Sequence, residues 1–343
     1  MTQANSGPTP GLTSGPLLPR RPAHPRPLPW APALPVLLSV LLAALLTRPS
    51  LVPNTPGHPG SLLETFLPWL GLAVPLLLAL ALLRRSAATA LALLLPAAAW
   101  LGQFGSLLPH TTTPTRYGLT TVQHNISDEN PDPARTARAL AAGHPALIAV
   151  EELTPTASTA FTAALAADYP HHATHGTVGL WSTYPLTDVR PVDIKPTALA
   201  GDPHWNRALR ATAATPSGPV AIYVVHLPSV RLAATGFGSA RRDESALLLG
   251  AVLAAEPIGR VVLLGDLNAA ADDRALSPVH TALAATAGPP PPPTPGFAFT
   301  WPAAFPLARI DQILSRSGTI TQVGTLPATP SDHLPFTANI RFD

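Results

Sequence analysis

Residues 261–270 read VVLLGDLNAA: four branched aliphatic side chains run straight into Asp266 and Asn268, two positions apart. The same pattern, an apolar run that ends in residues able to bind metal or move protons, recurs along the chain. Asn125 lies near the end of YGLTTVQHNIS (117–127), and Glu151 and Glu152 close PALIAVEEL (145–153). His226 closes VAIYVVHL (220–227), Asp311 lies in RIDQILS (309–315), and Ser331, Asp332 and His333 precede FTANIRF (336–342). A buried charge without a partner costs several kcal/mol. Gathered around a hard divalent cation and a phosphate, these groups would satisfy one another. Each also has an ordinary reading: Asn125 as a turn cap, the two glutamates as a solvated strand end, and His226 as a satisfied core histidine. Asp266 and Asn268 could form an Asx turn, Asp311 could be a surface carboxylate, and Asp332 and His333 could be turn residues before Leu334 and Pro335. Those readings together require six strand ends to be polar independently.

The elements that must position these residues are short strands and helices in alternation. TVGLWS (177–182) and RVVLLGDLN (260–268) read as further strands. PARTARALAAG (133–143), FTAALAADY (161–169) and ARRDESALLLGAVLAAE (240–256) read as helices, the first stopped by Gly143. GPPPPPTPG (288–296) is a stiff loop. This order indicates sheets covered by helices.

The first third of the chain has a different texture. Residues 1–29 are rich in Pro, Gly, Ser and Thr and read as a disordered tail. Three apolar stretches follow, at about Trp30 to Leu46, Leu62 to Leu83 and Ala87 to Leu108, each expected to span a bilayer as a helix. Trp30 sits where an interfacial anchor would, and the internal prolines are tolerated in membrane helices. Arg20, Arg21 and Arg26 precede the first stretch, and Arg84 and Arg85 fill the turn between the second and third. The positive-inside rule puts those arginines in the cytoplasm and residue 109 onward on the outer face.

Of 21 basic residues, six lie before position 109, leaving 15 after it; of 19 acidic residues only Glu64 does, leaving 18, so residues 109–343 carry a net −3. The overall net charge of +2 is therefore a property of the membrane-like third and not a sign of nucleic-acid binding. There is no cysteine, which excludes disulfides, thiolate metal sites and cysteine nucleophiles.

The motifs HNIS, IAVEEL, YVVHLPS, LLGDLNA, RIDQIL and SDHLPF, in this order, resemble the endonuclease/exonuclease/phosphatase superfamily, the metal-dependent phosphodiesterases similar to deoxyribonuclease I. The resemblance covers about residues 117–343. It implies a four-layer α/β/β/α sandwich, here preceded by three transmembrane helices, with the catalytic domain over 109–343. It implies Mg²⁺ (or Mn²⁺) held by Glu152, Asn125 and Asp332, with His333 as general base oriented by Asp311. Asp266 and Asn268 would position water and a phosphate oxygen, and His226 would donate to the phosphoryl group or the leaving oxygen. The chain departs from the family pattern at Glu151, where the family usually has Gln; matching the motif makes Glu152 the metal ligand.

The expected function is a plasma-membrane, multi-pass, extracytoplasmic hydrolase of phosphoester bonds, phosphodiesters foremost. Its partners would be the lipid bilayer, through three helices, and a nucleic-acid or phospholipid-type substrate, with no obligate protein partner. Arg241 and Arg242 are the substrate-binding candidates, and Arg207 and Arg210 could extend them into a local basic patch. A second reading is a member of the fold that has lost turnover and binds a ligand or partner at the outer face. The filled base and metal positions argue against it. A third, a channel or transporter, lacks the mid-span ionisable residue that a pathway calls for.

Overall fold

The computed structural model describes residues 1–2, 33–108, 118–284 and 296–342. The tail over 3–29, Trp30, Arg20, Arg21, Arg26 and nearly all of the proline-rich stretch 288–296 lie outside the described residues.

The region from residue 118 onward opens with β1 (Leu119–Asn125), α6 (Pro133–Ala141), β2 (Leu147–Glu151), α7 (Pro155–Leu165), β3 (His171–His175) and β4 (Val178–Ser182). It continues with β5 (Leu186–Pro191), β6 (Ala208–Thr215), β7 (Gly218–His226), a small hairpin of β8 (Leu232–Ala233) and β9 (Gly236–Phe237), and α8 (Ala240–Ala254). β10 (Val261–Asp266), α9 (Ser277–Ala284), β11 (Asp311–Arg316), β12 (Thr319–Thr325) and β13 (Phe336–Arg341) complete it. Two sheets form, one ordered β12-β13-β1-β2-β4-β3 and the other β11-β10-β7-β6-β5.

Period-2 alternation decides which face of each strand meets which layer. Leu147, Ala149, Leu180, Leu209, Ile222, Leu264 and Phe336 form the core between the sheets. On the outside of the first sheet, Ile148, Val150 and Trp181 pack against Leu140, Phe161 and Leu165 of α6 and α7. On the outside of the second, Tyr223, Val225 and Leu263 pack against Leu249 and Leu253 of α8 and Val279 of α9. The order is therefore helix, sheet, sheet, helix, as expected. Asp132 caps α6 and Thr154 caps α7, each accepting from the third backbone N–H ahead and each followed by Pro at the first helical position.

The N-terminal third departs from three spanning helices. It forms α1 (Ala33–Thr47), α2 (Pro59–Thr65), α3 (Ala73–Leu83), α4 (Ala87–Ala92) and α5 (Leu94–Phe104). Among the described residues only the run Ala87–Leu107, 21 residues, is long and apolar enough to cross a bilayer. The second expected span is broken: Pro59–Thr65 and Leu67–Leu83 meet at 73°. Residues 67–72 are wound as a 3₁₀ helix carrying Pro68, which has no N–H to give to a continuing α-helix. Side chains on both sides of the bend bond to the two-sheet region, Glu64 to Arg274 and the Trp69 indole to the Leu307 carbonyl at 2.7 Å. Among the described residues α1 has 15, about 22 Å at the α-helical rise, against a hydrocarbon core of roughly 30 Å.

Candidate active site

Strand register assembles the floor of the site. Asp266, the last residue of β10, pairs with His226 at the end of β7 in a parallel ladder and with Asp311 at the start of β11 in an antiparallel one. In the facing sheet Asn125 ends β1 opposite Glu151 at the end of β2. The two sheets thus bring their polar ends to one rim. Gly265 is part of that construction: a Cβ there would run into the Val225 carbonyl of β7, so only glycine lets the ladder close one residue before Asp266.

At the centre, Asp311 Oδ2 is 2.8 Å from His333 Nδ1, with both side chains buried. His333 Nε2 lies 3.8 Å from Asp266 Oδ2. The Asn125 amide donates to the same oxygen at 3.1 Å, and the backbone N–H of Asn268 donates to Asp266 Oδ1 at 2.9 Å. His226 Nε2 is 3.7 Å from Asp266 Oδ2 and 3.9 Å from Glu152 Oε1. Asn125, Glu152, Asp266, Asn268, Asp332 and His333 line one cleft of about 900 Å³, with Asp311 and His226 buried behind them. Glu152 and Asn268 have left-handed backbones, at φ 56° and 47°. For Glu152 that conformation costs of order 1–3 kcal/mol and turns the side chain out of the strand into the cleft.

The twin glutamates separate clearly. Glu151 is fully buried between the sheets, and Glu152 faces the cleft. Burial, then the nearby Asp311 carboxylate, push the Glu151 carboxyl well above the usual range, which favours its neutral form. Gln123, two residues before Asn125 on the same strand face, donates to Glu151 Oε2 at 2.7 Å and to Asp311 Oδ1 at 2.9 Å. A neutral carboxyl presents one acceptor and one donor, as a carboxamide does.

Charge is distributed differently from expectation. Burial opposes a charge on His333, but Asp311 and Asp266 outweigh it and raise this imidazole to about 10. Burial, then Arg207 and His333, hold His226 well below its ordinary value. His333 is therefore the cation and His226 the neutral ring. Burial, with Asp311 adding to it, lifts Asp266 to about 7. Asp311 stays below the usual range: burial opposes its charge, but the His333 imidazolium and its hydrogen bond prevail.

The donor set fits a hard divalent cation. Ligand atoms of Asp266, Asp311 and His333 lie within 4.8 Å of one another. Beside them Glu152 offers a cleft-facing carboxylate whose protein hydrogen bond is a long 3.4 Å one from the Asp128 N–H. Asn125 faces the same space, although its carbonyl oxygen accepts from the Ser127 N–H at 3.1 Å. Asp332, the third expected ligand, sits exposed on the rim and accepts from the Trp301 indole at 3.2 Å.

The substrate-binding arginines are corrected. Arg242 is completely buried and donates to Asp243, Asp273 and the Asn268 carbonyl; it props the loop from behind. Arg241 is exposed on α8 and does not line the cleft. Arg210 is buried against Glu256 and Asp188, so the basic patch does not form. Among the described residues, Arg231 lies on the cleft wall, and Arg207 has its Nη1 3.4 Å from both His226 ring nitrogens. Gln123 was not among the expected site residues, although its period-2 spacing to Asn125 places it on the same strand face; Arg207, expected in a basic patch, instead stands behind His226.

This fold and this rim of acids, amides and imidazoles define a class that acts on phosphate esters. Residues 122–333 match the Endonuclease/Exonuclease/phosphatase family, and the chain belongs to that family. Similar solved structures include the beta toxin of Staphylococcus aureus, with a TM-score of 0.52 at 15% identity over 64% of this chain and 99% of that one. An endonuclease/exonuclease/phosphatase from Beutenbergia cavernae has a TM-score of 0.50 at 20% identity, covering 66% of this chain and 72% of that one. One from Bacteroides vulgatus has 0.50 at 17%, covering 66% and 99%. At such identities these likenesses bear on the fold. Among curated proteins none matches the sequence.

Proposed function

We propose that this protein is a membrane-attached, extracytoplasmic hydrolase of phosphoester bonds, phosphodiesters foremost, that works with a divalent cation, Mg²⁺ or Mn²⁺. The observation that carries the reading is the buried His333–Asp311 pair aimed at Asp266 and Asn125, with Glu152 across the same cleft.

Asp311 fixes the ring of His333 and compensates its charge, leaving Nε2 toward the cleft. Asn268 and Asn125 hold the Asp266 carboxylate from two sides, so that it keeps one geometry toward water and phosphate. Neutral His226 donates a hydrogen bond to the phosphoryl group, and Arg207 behind it adds positive potential. Glu152 and Asn125 would hold the cation, with Asp266 adjacent. When bound, the cation would supply Lewis-acid polarisation of phosphate oxygens; His333 Nε2, 3.8 Å from Asp266 and open to the cleft, is placed to take a proton from water when the ring is in its neutral form.

Attachment to a bilayer is supported by the apolar surface of the N-terminal helices. Leu37, Leu41, Leu76, Leu82, Leu91 and Leu94 are each more than half exposed, a density that soluble surfaces avoid. The bilayer contact proposed is the spanning helix Ala87–Leu107 paired with α3, which carries the chain across from the side on which Glu64 and Trp69 are docked, with α1 alongside.

The test uses the full chain in nanodiscs with bis-p-nitrophenyl phosphate, Mg²⁺, Mn²⁺ or EDTA. Turnover that needs metal and disappears in His333→Ala and Glu152→Ala is expected; metal-independent turnover, or none on diesters, DNA and phospholipids, refutes the reading. Orientation is tested separately. The chain lacks cysteine, so Gly201→Cys at an exposed site gives one thiol. Failure of an impermeant maleimide to label it in intact cells, with labelling after lysis, refutes the outer-face placement.

A further inference from the structure

The catalytic cleft has a wall that the family domain does not supply. Leu62 of α2 and Phe66 just after it line the same cleft as Glu152, Asp266 and His333, yet both precede the family match at 122–333. Facing the cleft with them are Leu232 and Phe237 of the β8–β9 hairpin.

Three separate attachments hold this segment on the catalytic domain. Glu64, almost fully buried, accepts from the Arg274 backbone N–H at 3.0 Å and from its Nε at 2.9 Å, while the Arg274 guanidinium also donates to the Val52 and Pro49 carbonyls. Ser61 Oγ donates to Asp273 Oδ1 at 3.2 Å; the other oxygen of Asp273 takes Arg242, which reaches the Asn268 carbonyl. On the far side the Gly57 carbonyl accepts from Phe237 N–H at 2.8 Å, and His58 Nδ1 is 2.9 Å from Ser239 Oγ. Glu64 is the lone acid of the first 108 residues, and it is spent on this docking. A mere tether has no use for a buried ion pair with the domain it tethers.

We propose that α2 and Phe66 are the specificity wall of the site, and that its substrate is a phosphoester carrying an apolar chain, drawn from the bilayer in which the N-terminal helices lie. The chain would rest between Leu62 and Phe66 on one side and Leu232 and Phe237 on the other, with the phosphate at the polar floor. Electrostatics favours this over a nucleic acid. Among the described lining residues Arg231 is the one arginine or lysine, against Glu129, Glu152, Asp266 and Asp332, which is a poor bed for a polyanion. A volume of about 900 Å³ is large for a simple phosphate and suits a headgroup with the first part of a chain. The chemistry at phosphorus rests on the hydrolase reading above; the wall rests on geometry.

The experiment compares methyl and octyl p-nitrophenyl phosphate as substrates of the full chain in nanodiscs. The wild type should prefer the octyl ester by about twentyfold or more in kcat/KM, since each buried CH₂ contributes to binding. Leu62→Ala/Phe66→Ala should lower that octyl-to-methyl ratio at least tenfold. Phe237→Ala, on the opposite wall and outside the N-terminal segment, should lower it severalfold and keeps the test open if the double variant does not fold. Leu76→Ala, on the exposed face of α3, should leave the ratio unchanged. No octyl preference in the wild type, or an equal fall in Leu76→Ala, overturns the proposal. If neither ester turns over, the hydrolase reading fails by itself, and titration calorimetry with methyl- and octylphosphonate decides the wall. An octyl preference that the Leu62/Phe66 or Phe237 variants lose upholds it, and equal binding overturns it.

Discussion

Asp311 and His333 meet at 2.8 Å in a buried pair although one begins a strand of the second sheet and the other lies in the loop entering the first. The pair therefore joins the two sheets at their common rim. His333→Ala should lower kcat on a phosphodiester by roughly 10²–10⁴-fold, the usual share of a positioned proton-transfer group. Asp311→Asn should lower it comparably while leaving the fold intact, because an amide Nδ2 facing His333 Nδ1 forces the other tautomer. Steady-state kinetics on folded variants decides this; an Asp311→Asn enzyme within threefold of wild type would remove Asp311 from the role.

The adjacent glutamates should respond in opposite ways. Glu151 is buried with its neutral form favoured, so Glu151→Gln keeps its shape and its bond to Gln123, and activity should stay within about threefold. Glu152→Gln removes a cleft-facing charge and should cost at least about 10²-fold in kcat/KM, with a rightward shift of the Mg²⁺ activation curve. Reversed sensitivities would mean that the cation is held from between the sheets.

Much of this rim was legible because the chain writes it as apolar runs ending in Asn125, Glu152, His226 and Asp266, and period 2 brings such ends to one edge. What escaped has physical causes. β3 and β5 are edge strands with largely exposed, polar side chains, so they lack the alternation that marks a half-buried strand. α7 begins at Pro155, earlier than its apolar pattern suggests, because the Thr154 cap and Pro155 set the start. Arg241 and Arg242 are neighbours in sequence but sit about 100° apart on α8, so one is solvated and the other is buried against Asp273. The N-terminal third read as three spans because hydropathy sees composition; the bend between α2 and α3, at Pro68, is held by contacts with residues more than 200 positions away.

Acid should weaken the fold through His124. This buried ring, 2.7 Å from Thr329 Oγ1, is lowered to about 3, chiefly by burial. Its folded value lies below the ordinary 6.5, so the unfolded chain binds the proton first as pH falls. The stability it contributes is complete above about 6.5 and is lost between there and 3, by about 1.4 kcal/mol per pH unit. Denaturant unfolding of the wild type and His124→Asn at pH 7 and pH 4.5 checks this. The variant should lose roughly 2 kcal/mol less over that interval, and parallel losses would contradict the assignment.

The Glu64–Arg274 pair should behave asymmetrically. Glu64 has a side chain only 2% exposed, whereas Arg274 keeps 27% exposure. Arg274→Met strands a carboxylate with no cation and little water, and should cost about 3 kcal/mol. Glu64→Gln keeps an acceptor for Arg274 and leaves a guanidinium that can reach solvent, so it should cost about 1–2 kcal/mol. Gly60 reports on the same clamp from another direction: a Cβ there would lie 2.6 Å from Arg274 Cζ and from the Val52 carbonyl, so Gly60→Ala must push the guanidinium off its seat. Hydrogen exchange over residues 49–66 in nanodiscs separates local undocking from global loss. Arg274→Met and Gly60→Ala should accelerate exchange in that window while the strands of the two sheets keep their protection. Uniform acceleration across the whole catalytic domain would show instead that the N-terminal segment folds as one cooperative unit with it.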